Sequence, residues 1–386
     1  MDGAMRQISS IREELMNEVA LKQVETRIKR RGCRFFHPLL WVWFFSCLWG
    51  CAAPVKHDAS RALQAPQLAS SHFLSSDGRV IPVRTFLPGQ TKLRAVVIAL
   101  HGFNDYSRAF TSVGSFFAGQ GIGLIAYDQR GFGLSERTGI WAGASSYGED
   151  LDAMTRAVKQ RYPGLPLFLL GESMGAAVVI TALHDHPDMA VEGVILSAPA
   201  VWSRDTMPWY QSLIMDLAAS LLPEVRLTGS GLRVQASDNL EMLRGLGRDP
   251  WVIKATRIDA IQGLADLMDA AQAGIDQVKK PLLILYGGKD EIIPQMPVKR
   301  LWERISAQPD VRAAYYPGGF HLLFRDLNAA LPLRDAMGWM NDPKAPLVSG
   351  CELQSVDSSS GSSAFQVSAA CLSDRAGVKR LDANPM

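Results

Sequence analysis

The sequence predicts an α/β protein in which a largely parallel sheet is flanked by helices. Three observations carry this prediction. Continuous apolar runs recur along the chain, the segments between them have the length and composition of helices, and one longer helical segment interrupts the alternation. Such runs are typical of parallel strands buried on both faces, and their alternation with helices is typical of α/β folds.

Five apolar runs predict the strands of the sheet. They are AVVIAL (95–100), IGLIAY (122–127), LFLLGE (167–172), GVILSA (193–198) and PLLILYG (281–287). The intervening segments 147–161 and 174–184 carry good helix formers at helical length. An SSDGR turn within Ser71–Leu87 predicts an antiparallel hairpin ahead of the first run.

The alternation of strands and helices is interrupted once, between Ala200 and Gln277. Apolar residues there recur at steps of three and four, as in Trp209, Leu213 and Leu217, which predicts amphipathic helices. Insertions above the strand ends of such sheets commonly bound the functional site. We therefore expect a helical cap at about 200–277, with a plain extension of the scaffold as the alternative.

Composition separates the folded domain from the segments around it. Residues 52–69 are polar and Ala-rich and contain two prolines, which favours a tether. Residues 343–386 contain SVDSSSGSSAF and lack hydrophobic periodicity, which favours a disordered tail. The α/β domain is therefore expected at about 70–342.

Residues 1–51 have the pattern of an export leader. Four basic residues within 29–34 precede an apolar run at 35–49 that is short for a membrane span of ~20 residues. The LWGCAAP stretch (48–54) resembles a bacterial lipoprotein signal, in which Cys51 becomes the lipidated N-terminal residue. An uncleaved anchor helix is the alternative, and initiation at Met16 would shorten the leader. The lipoprotein signal and the anchor helix both predict an exported, membrane-anchored domain in a bacterial envelope. Ala52 after the cysteine resembles the outer-membrane sorting pattern of lipoproteins.

Charge and cysteine usage exclude several function classes. A formal net charge of +2 leaves no basic surplus for nucleic acid, and no acidic tract predicts a metal site. The stretch 52–350 contains no cysteine, which excludes a thiol nucleophile or a cysteine-rich zinc site there. We expect no cofactor, no metal and no nucleic-acid partner. Cys351 and Cys371 can pair in an oxidising compartment, and the sequence leaves that pairing open.

A serine between two glycines follows the third apolar run, in GESMG (171–175). A serine hydroxyl is a poor nucleophile unless a histidine takes its proton and a carboxylate fixes the tautomer of that histidine. G-x-S-x-G by itself is a weak signal. An apolar strand before Ser173 and a helix-forming run after it provide the strand–turn–helix context of a nucleophile elbow.

The remaining candidates follow Ser173 in the order acid, then histidine. YGGKDEIIP places Asp290 just past a buried strand, where site residues collect, with Glu291 as the competing carboxylate. His321, in PGGFHLLF, is the histidine that follows both Ser173 and Asp290 within the domain. The order Ser, acid, His favours a catalytic triad.

Two backbone N–H groups are the candidate oxyanion donors. LHGFNDYS (100–107) follows the first predicted strand and contributes Phe103, and the residue after the serine contributes Met174. His101 is expected to shape this loop without acting as a base.

The motifs HGFNDYS, YDQRGFGLS, GESMG, GGKDEIIP and GGFHLLF, in this order, resemble the α/β-hydrolase family, specifically its monoacylglycerol lipase and lysophospholipase branch. The resemblance covers about 70–342. It implies a triad of Ser173, Asp290 and His321, oxyanion donors at Phe103 and Met174, and a cap over an acyl-binding pocket.

These observations lead to the hypothesis of a serine hydrolase that cleaves carboxylic esters of lipids, such as monoacylglycerols or lysophospholipids, through an acyl-serine and without metal. An acyltransferase that uses the same acyl-serine is one alternative. A catalytically silent envelope protein that binds lipid is another.

Overall fold

A central sheet organises the part of the chain that the structure describes. The computed structural model describes residues 64–229, 231, 234–353, 365 and 371. Its strands are β1 (Gln67–Leu68), β2 (His72–Leu74), β3 (Val80–Phe86), β4 (Ala95–Leu100), β5 (Ile122–Tyr127), β6 (Leu167–Glu172), β7 (Gly193–Ser197), β8 (Arg226–Thr228), β9 (Ala255–Arg257), β10 (Leu282–Gly287) and β11 (Val311–Tyr316). All five predicted apolar runs form strands of this sheet.

The sheet runs in the order β1-β2-β3-β5-β4-β6-β7-β10-β11. From β5 to β11 neighbouring strands are parallel, whereas β1, β2 and β3 pair antiparallel at one edge. The predicted hairpin is β2–β3. The mostly parallel α/β sheet is thus confirmed. Because parallel strands end at the same edge, the loops that follow β4, β6, β10 and β11 meet there.

Helices cover both faces of the sheet, as continuous apolar strands require. They are α1 (Thr111–Gly119), α2 (Ala144–Arg161), α3 (Met174–Asp185), α4 (Trp209–Leu221), α5 (Leu240–Arg248), α6 (Ile258–Gly274), α7 (Gln295–Ile305) and α8 (Ala330–Asn341). The apolar side chains of α2, α3, α6 and α7 pack on one face, and those of α1 and α8 pack on the other. Every residue of β4, β5, β6 and β10 is buried.

The segment expected to form a cap divides into two parts. Between β7 and α6 lie α4, the short antiparallel pair β8–β9, and α5, which is capped by Asn239. This part contacts the loops at the strand ends, since Ile253 N–H donates to the Asn104 carbonyl at 2.9 Å. In contrast, α6 buries residues such as Leu267 and Ala271 in the core beside α3. The helix that ends the insertion is therefore part of the domain body.

Both ends of the folded domain extend beyond the range predicted for it. Leu68, in the segment expected to be a tether, pairs with Phe73 in the sheet. In the segment expected to be a disordered tail, Leu347, Cys351 and Leu353 are buried, and Leu353 N–H donates to the Ala313 carbonyl at 2.8 Å. The unpaired edge of β11 supplies the hydrogen bonds that order this stretch, which hydrophobic periodicity does not reveal.

Cys351 and Cys371 form a disulfide bond, which answers the question that the sequence left open. The chain divides into two units, 1–59 and 60–386, and described residues occur only in the second. The expected leader and Cys51 lie outside the described residues.

Candidate active site

Ser173 lies on the turn between β6 and α3, with φ 55° and ψ −116°. Non-glycine residues seldom adopt this region, because the side chain crowds the backbone, and such strain tends to occur at functional sites. The flanking glycines permit the turn. A Cβ at Gly171 would lie 2.5 Å from the Ala176 backbone nitrogen, and one at Gly175 would lie 2.2 Å from the Leu100 carbonyl oxygen.

Asp290 and His321 come together at the same edge of the sheet. Asp290 follows β10, His321 follows β11, and the distance from His321 Nδ1 to Asp290 Oδ2 is 2.8 Å. The other Asp290 oxygen accepts from the backbone N–H groups of Ile292 and Ile293, at 2.8 and 2.9 Å. Both side chains of the pair are almost fully buried. Because Nδ1–H donates to the carboxylate, Nε2 is the ring nitrogen that remains to accept a proton.

The competing carboxylate, Glu291, makes a different contact. Its Oε2 accepts from the backbone N–H of Gln235 at 2.8 Å, and the residue is exposed. Gly287, at the end of β10, allows the histidine loop to approach the acid loop, because a Cβ there would lie 2.5 Å from the carbonyl oxygens of Gly319 and Phe320. The geometry therefore pairs the histidine with Asp290.

The loop after β4 lies directly against the serine turn. A Cβ placed on Gly102 would be 3.3 Å from the Ser173 Cβ. In the part of the chain that the structure describes, the backbone N–H groups of Phe103 and Met174 donate to no protein acceptor. Two unpartnered donors on either side of a serine turn are what an oxyanion needs.

His101 is held by both ring nitrogens, as the sequence predicts for a residue that shapes the loop. Its Nδ1–H donates to the Gly102 carbonyl at 2.8 Å, and its Nε2 accepts from the Gln129 backbone N–H at 3.0 Å. The ring is fully buried, and burial lowers the pKa of His101. His101 is therefore a neutral structural residue.

The loop that carries His321 is anchored by a buried carboxylate. Asp326 accepts from the backbone N–H of Phe320 at 2.8 Å and from the Ser237 hydroxyl at 2.6 Å. Burial raises the pKa of Asp326 to about 6, although both hydrogen bonds act in the opposite direction. Asp326 thus connects the histidine loop to the cap.

Sequence reasoning missed a second residue of this loop, Arg325. Its guanidinium donates to Asp105 at 2.7 Å and to Glu172 at 2.5 Å, and all three side chains are buried. One signal was present in the sequence. An arginine interrupts the apolar run FHLLFRD, and a charge within such a run requires a buried partner.

The inserted part carries an unusual surface on α4. Trp209, Leu213, Ile214, Leu217 and Leu221 of α4 are each more than half exposed. Amphipathic helices normally bury their apolar stripe, so an exposed apolar face of this length is unusual in a folded domain. Among the described residues no cluster of His, Cys, Asp and Glu side chains has the arrangement of a metal site.

Comparison with known proteins gives a consistent result. The sequence profile of the Hydrolase_4 family, described as serine aminopeptidase, S33, matches residues 91–328. A monoacylglycerol lipase of Mycolicibacterium smegmatis is 26% identical over 286 residues, which cover 70% of this chain and 96% of that protein. The human monoglyceride lipase is 24% identical over 264 residues, which cover 66% and 84% of the two chains.

Solved structures show the same fold. The crystal structure of the Paleococcus ferrophilus monoacylglycerol lipase superposes with a TM-score of 0.59 at 23% identity, covering 68% of this chain and 99% of that one. A soluble variant of the Saccharomyces cerevisiae monoglyceride lipase superposes with a TM-score of 0.58 at 18% identity, covering 76% and 100%. With the profile spanning more than half of its residues, this chain belongs to the Hydrolase_4 family of α/β-hydrolases, alongside the monoacylglycerol lipases.

Proposed function

We propose that this protein hydrolyses carboxylic esters of lipids, with monoacylglycerols as the substrate class, through an acyl-serine intermediate. The monoacylglycerol and monoglyceride lipases among its relatives support carboxylic ester hydrolysis. The observation that carries the proposal is the buried Asp290–His321 hydrogen bond, at the strand ends where the strained Ser173 turn also lies.

The proposed reaction has two steps, formation of the acyl-serine and its hydrolysis, and Asp290, His321 and the oxyanion donors act in both. His321 Nε2 takes the proton of the Ser173 hydroxyl as its oxygen attacks the ester carbonyl, and Asp290 stabilises the resulting imidazolium. The N–H groups of Phe103 and Met174 donate to the oxyanion, each contributing about 3 kcal/mol. His321 then returns the proton to the leaving alcohol, and water attacks the acyl-serine by the same route to release the fatty acid.

Two observations support a lipid ester as the substrate. The relatives named above are monoacylglycerol and monoglyceride lipases. The exposed apolar face of α4 also suits a substrate that resides in an aggregate or a lipid surface, because contact with lipid removes that face from water.

The proposed nucleophile is tested by Ser173→Ala. We expect kcat for ester hydrolysis to fall by roughly a thousandfold or more, because no other group supplies the acyl acceptor. Covalent labelling by a fluorophosphonate probe should be lost as well. Ser197→Ala is the matched control, since it removes a buried hydroxyl that has no hydrogen-bond partner among the described residues. Undiminished turnover in Ser173→Ala would exclude the mechanism.

The substrate class is tested by comparing monoacylglycerols, lysophospholipids and short soluble esters, with and without a competing alcohol. Monoacylglycerol should give the highest kcat/KM, and free fatty acid should remain the main product. Acyl transfer to the alcohol would favour the acyltransferase alternative. Failure of the wild type to react with the fluorophosphonate probe would favour the silent lipid-binding protein.

We further infer that the protein is exported and anchored to a membrane through Cys51. The lipoprotein-like segment 48–54 supports this inference, and so does the disulfide, because disulfides persist in oxidising compartments. No helix within the described ranges has the length and apolarity of a bilayer-spanning segment. The mass of the mature N-terminus tests the inference: lipidated Cys51 is expected, and an unmodified chain beginning upstream would contradict it.

A further inference from the structure

Arg325 forms a buried charge network with two carboxylates. Its Nη1 donates to Asp105 Oδ2 at 2.7 Å, and its Nη2 donates to Glu172 Oε1 at 2.5 Å. The three side chains are 8%, 8% and 2% exposed, respectively. The two carboxylates raise the pKa of Arg325, so the guanidinium stays charged in spite of its burial.

Each member of the network lies in or directly beside a different loop of the candidate site. Glu172 immediately precedes the serine, Asp105 follows Phe103 by two positions, and Arg325 follows His321 by four. The side chain of Arg325 therefore links the serine turn, the oxyanion loop and the histidine loop at one point. The sequence positions involved are up to 220 residues apart.

Only short segments of backbone separate this network from the residues proposed to react. One peptide unit separates Glu172 from Ser173. The backbone N–H of Arg325 donates to the Leu322 carbonyl at 2.7 Å, within the turn that begins after the histidine. A displacement of the guanidinium should therefore displace the loops that carry Ser173 and His321 by a similar distance. Rates of positioned reactions fall steeply when groups move by about 1 Å.

We propose that Arg325 is a positioning residue, which sets the three loops in register through Glu172 and Asp105 and thereby determines the rate of the chemical step. The proposal rests on the proposed function of Ser173 and His321. A planar guanidinium fork is suited to this task, because it binds two carboxylates in fixed directions. Without it, two buried carboxylates would repel one another and move apart.

Two substitutions separate positioning from simple stabilisation. Arg325→Lys keeps the positive charge but lacks the fork, so the loops lose their fixed spacing. We expect kcat on a soluble short ester to fall roughly tenfold per folded molecule while KM changes less than about threefold. Arg325→Ala should lower kcat further, by roughly a hundredfold.

Chemical rescue gives a readout that a merely structural role would not move. Arg325 borders a cleft of about 400 Å³, whose lining includes Asp105, Tyr106 and Asp249, so a small cation has a route to the vacated position in Arg325→Ala. Guanidinium at non-denaturing concentration should raise kcat of Arg325→Ala roughly fivefold or more. Sodium chloride at equal ionic strength should not, and neither salt should accelerate the wild type.

Arg130→Met is the matched control. Arg130 also joins two carboxylates, donating to Asp77 at 2.7 Å and to Asp150 at 2.6 Å, and its side chain is 10% exposed. Its partners belong to the β2–β3 hairpin and to α2, outside the site loops. We expect this variant to lose thermal stability while its folded fraction keeps kcat within about twofold of the wild type.

The outcomes are distinguishable. If the wild type neither hydrolyses esters nor reacts with a fluorophosphonate, the proposed function fails. If the wild type is active and both Arg325 variants keep its kcat, the positioning role is wrong. The same conclusion follows if guanidinium gives no rescue and Arg130→Met, at an equal loss of Tm, loses as much kcat as the Arg325 variants.

Discussion

Ser173 shows that tertiary contacts hold a single residue of this protein in a strained backbone conformation. Its positive φ is held by tertiary contacts, and the neighbouring Gly171 and Gly175 have no room for a side chain. These residues were predictable, because a nucleophile elbow requires the short G-x-S-x-G motif wherever it occurs. Arg325 and Asp326 were not, since their roles depend on partners from distant loops.

Asp326 gives a pH-dependent prediction at this scale. Burial raises the pKa of Asp326 to about 6 in the folded protein, above its ordinary value near 4, so the folded state binds the proton more tightly than the unfolded chain. Its contribution to the free energy of unfolding is therefore complete below about pH 4 and is lost as the pH rises through 6.

Asp326→Asn removes this titration. The stability of the wild type relative to Asp326→Asn should fall by about 2 kcal/mol between pH 4 and pH 7. Urea unfolding of both proteins across this range measures the difference. If the stability of the wild type relative to Asp326→Asn stays constant or grows with pH, the raised pKa of Asp326 is wrong.

Among the elements, the strands were the most predictable and the cap the least. Buried parallel strands must be apolar along their whole length, so their sequences identify them directly. Periodicity also located α4, but it does not say which way an apolar stripe faces. The structure turns the stripe of α4 toward solvent, and it packs α6, expected in the cap, against the core.

The exposed face of α4 gives a prediction for this element. Leu213→Gln combined with Leu217→Gln should lower activity on dispersed long-chain monoacylglycerol roughly fivefold to tenfold, because the helix loses apolar contact with the lipid aggregate. Activity on a soluble short ester should be unchanged. Leu87→Gln, which alters an exposed leucine at the end of β3, is the matched control. Equal losses on both substrates would show that α4 acts through the fold.

In the molecule as a whole, the described residues 351–353, Phe365 and Cys371 lie against β11 at the edge of the sheet and form a C-terminal strap. Tyr315 N–H of β11 donates to the Cys351 carbonyl at 3.0 Å, and the ring of Phe365 packs 5.2 Å from that of Tyr315. The disulfide to Cys371 closes a loop of 20 residues. The strap thereby protects an edge that would otherwise offer unpaired backbone groups.

Cys371→Ser tests this strap. Loss of the cross-link should lower the free energy of unfolding by about 3 kcal/mol, because the unfolded chain gains conformational freedom. Denaturant unfolding with and without reductant measures the effect, and reductant should destabilise the wild type but not the variant. The kcat on a soluble ester should stay within about twofold of the wild type. Equal free energies of unfolding of the wild type and Cys371→Ser without reductant would show that the disulfide does not stabilise the fold.

The sequence alone determined the parallel α/β sheet and the order of Ser173, Asp290 and His321. Buried strands require apolar runs and a nucleophile elbow requires a short motif, and both can be recognised in one sequence. Only the tertiary structure decided which carboxylate the histidine meets, how Arg325 links three segments of the candidate site, and that residues 343–353 belong to the folded domain. Each of these depends on groups far apart in the chain, whose encounter is set by strand order and packing.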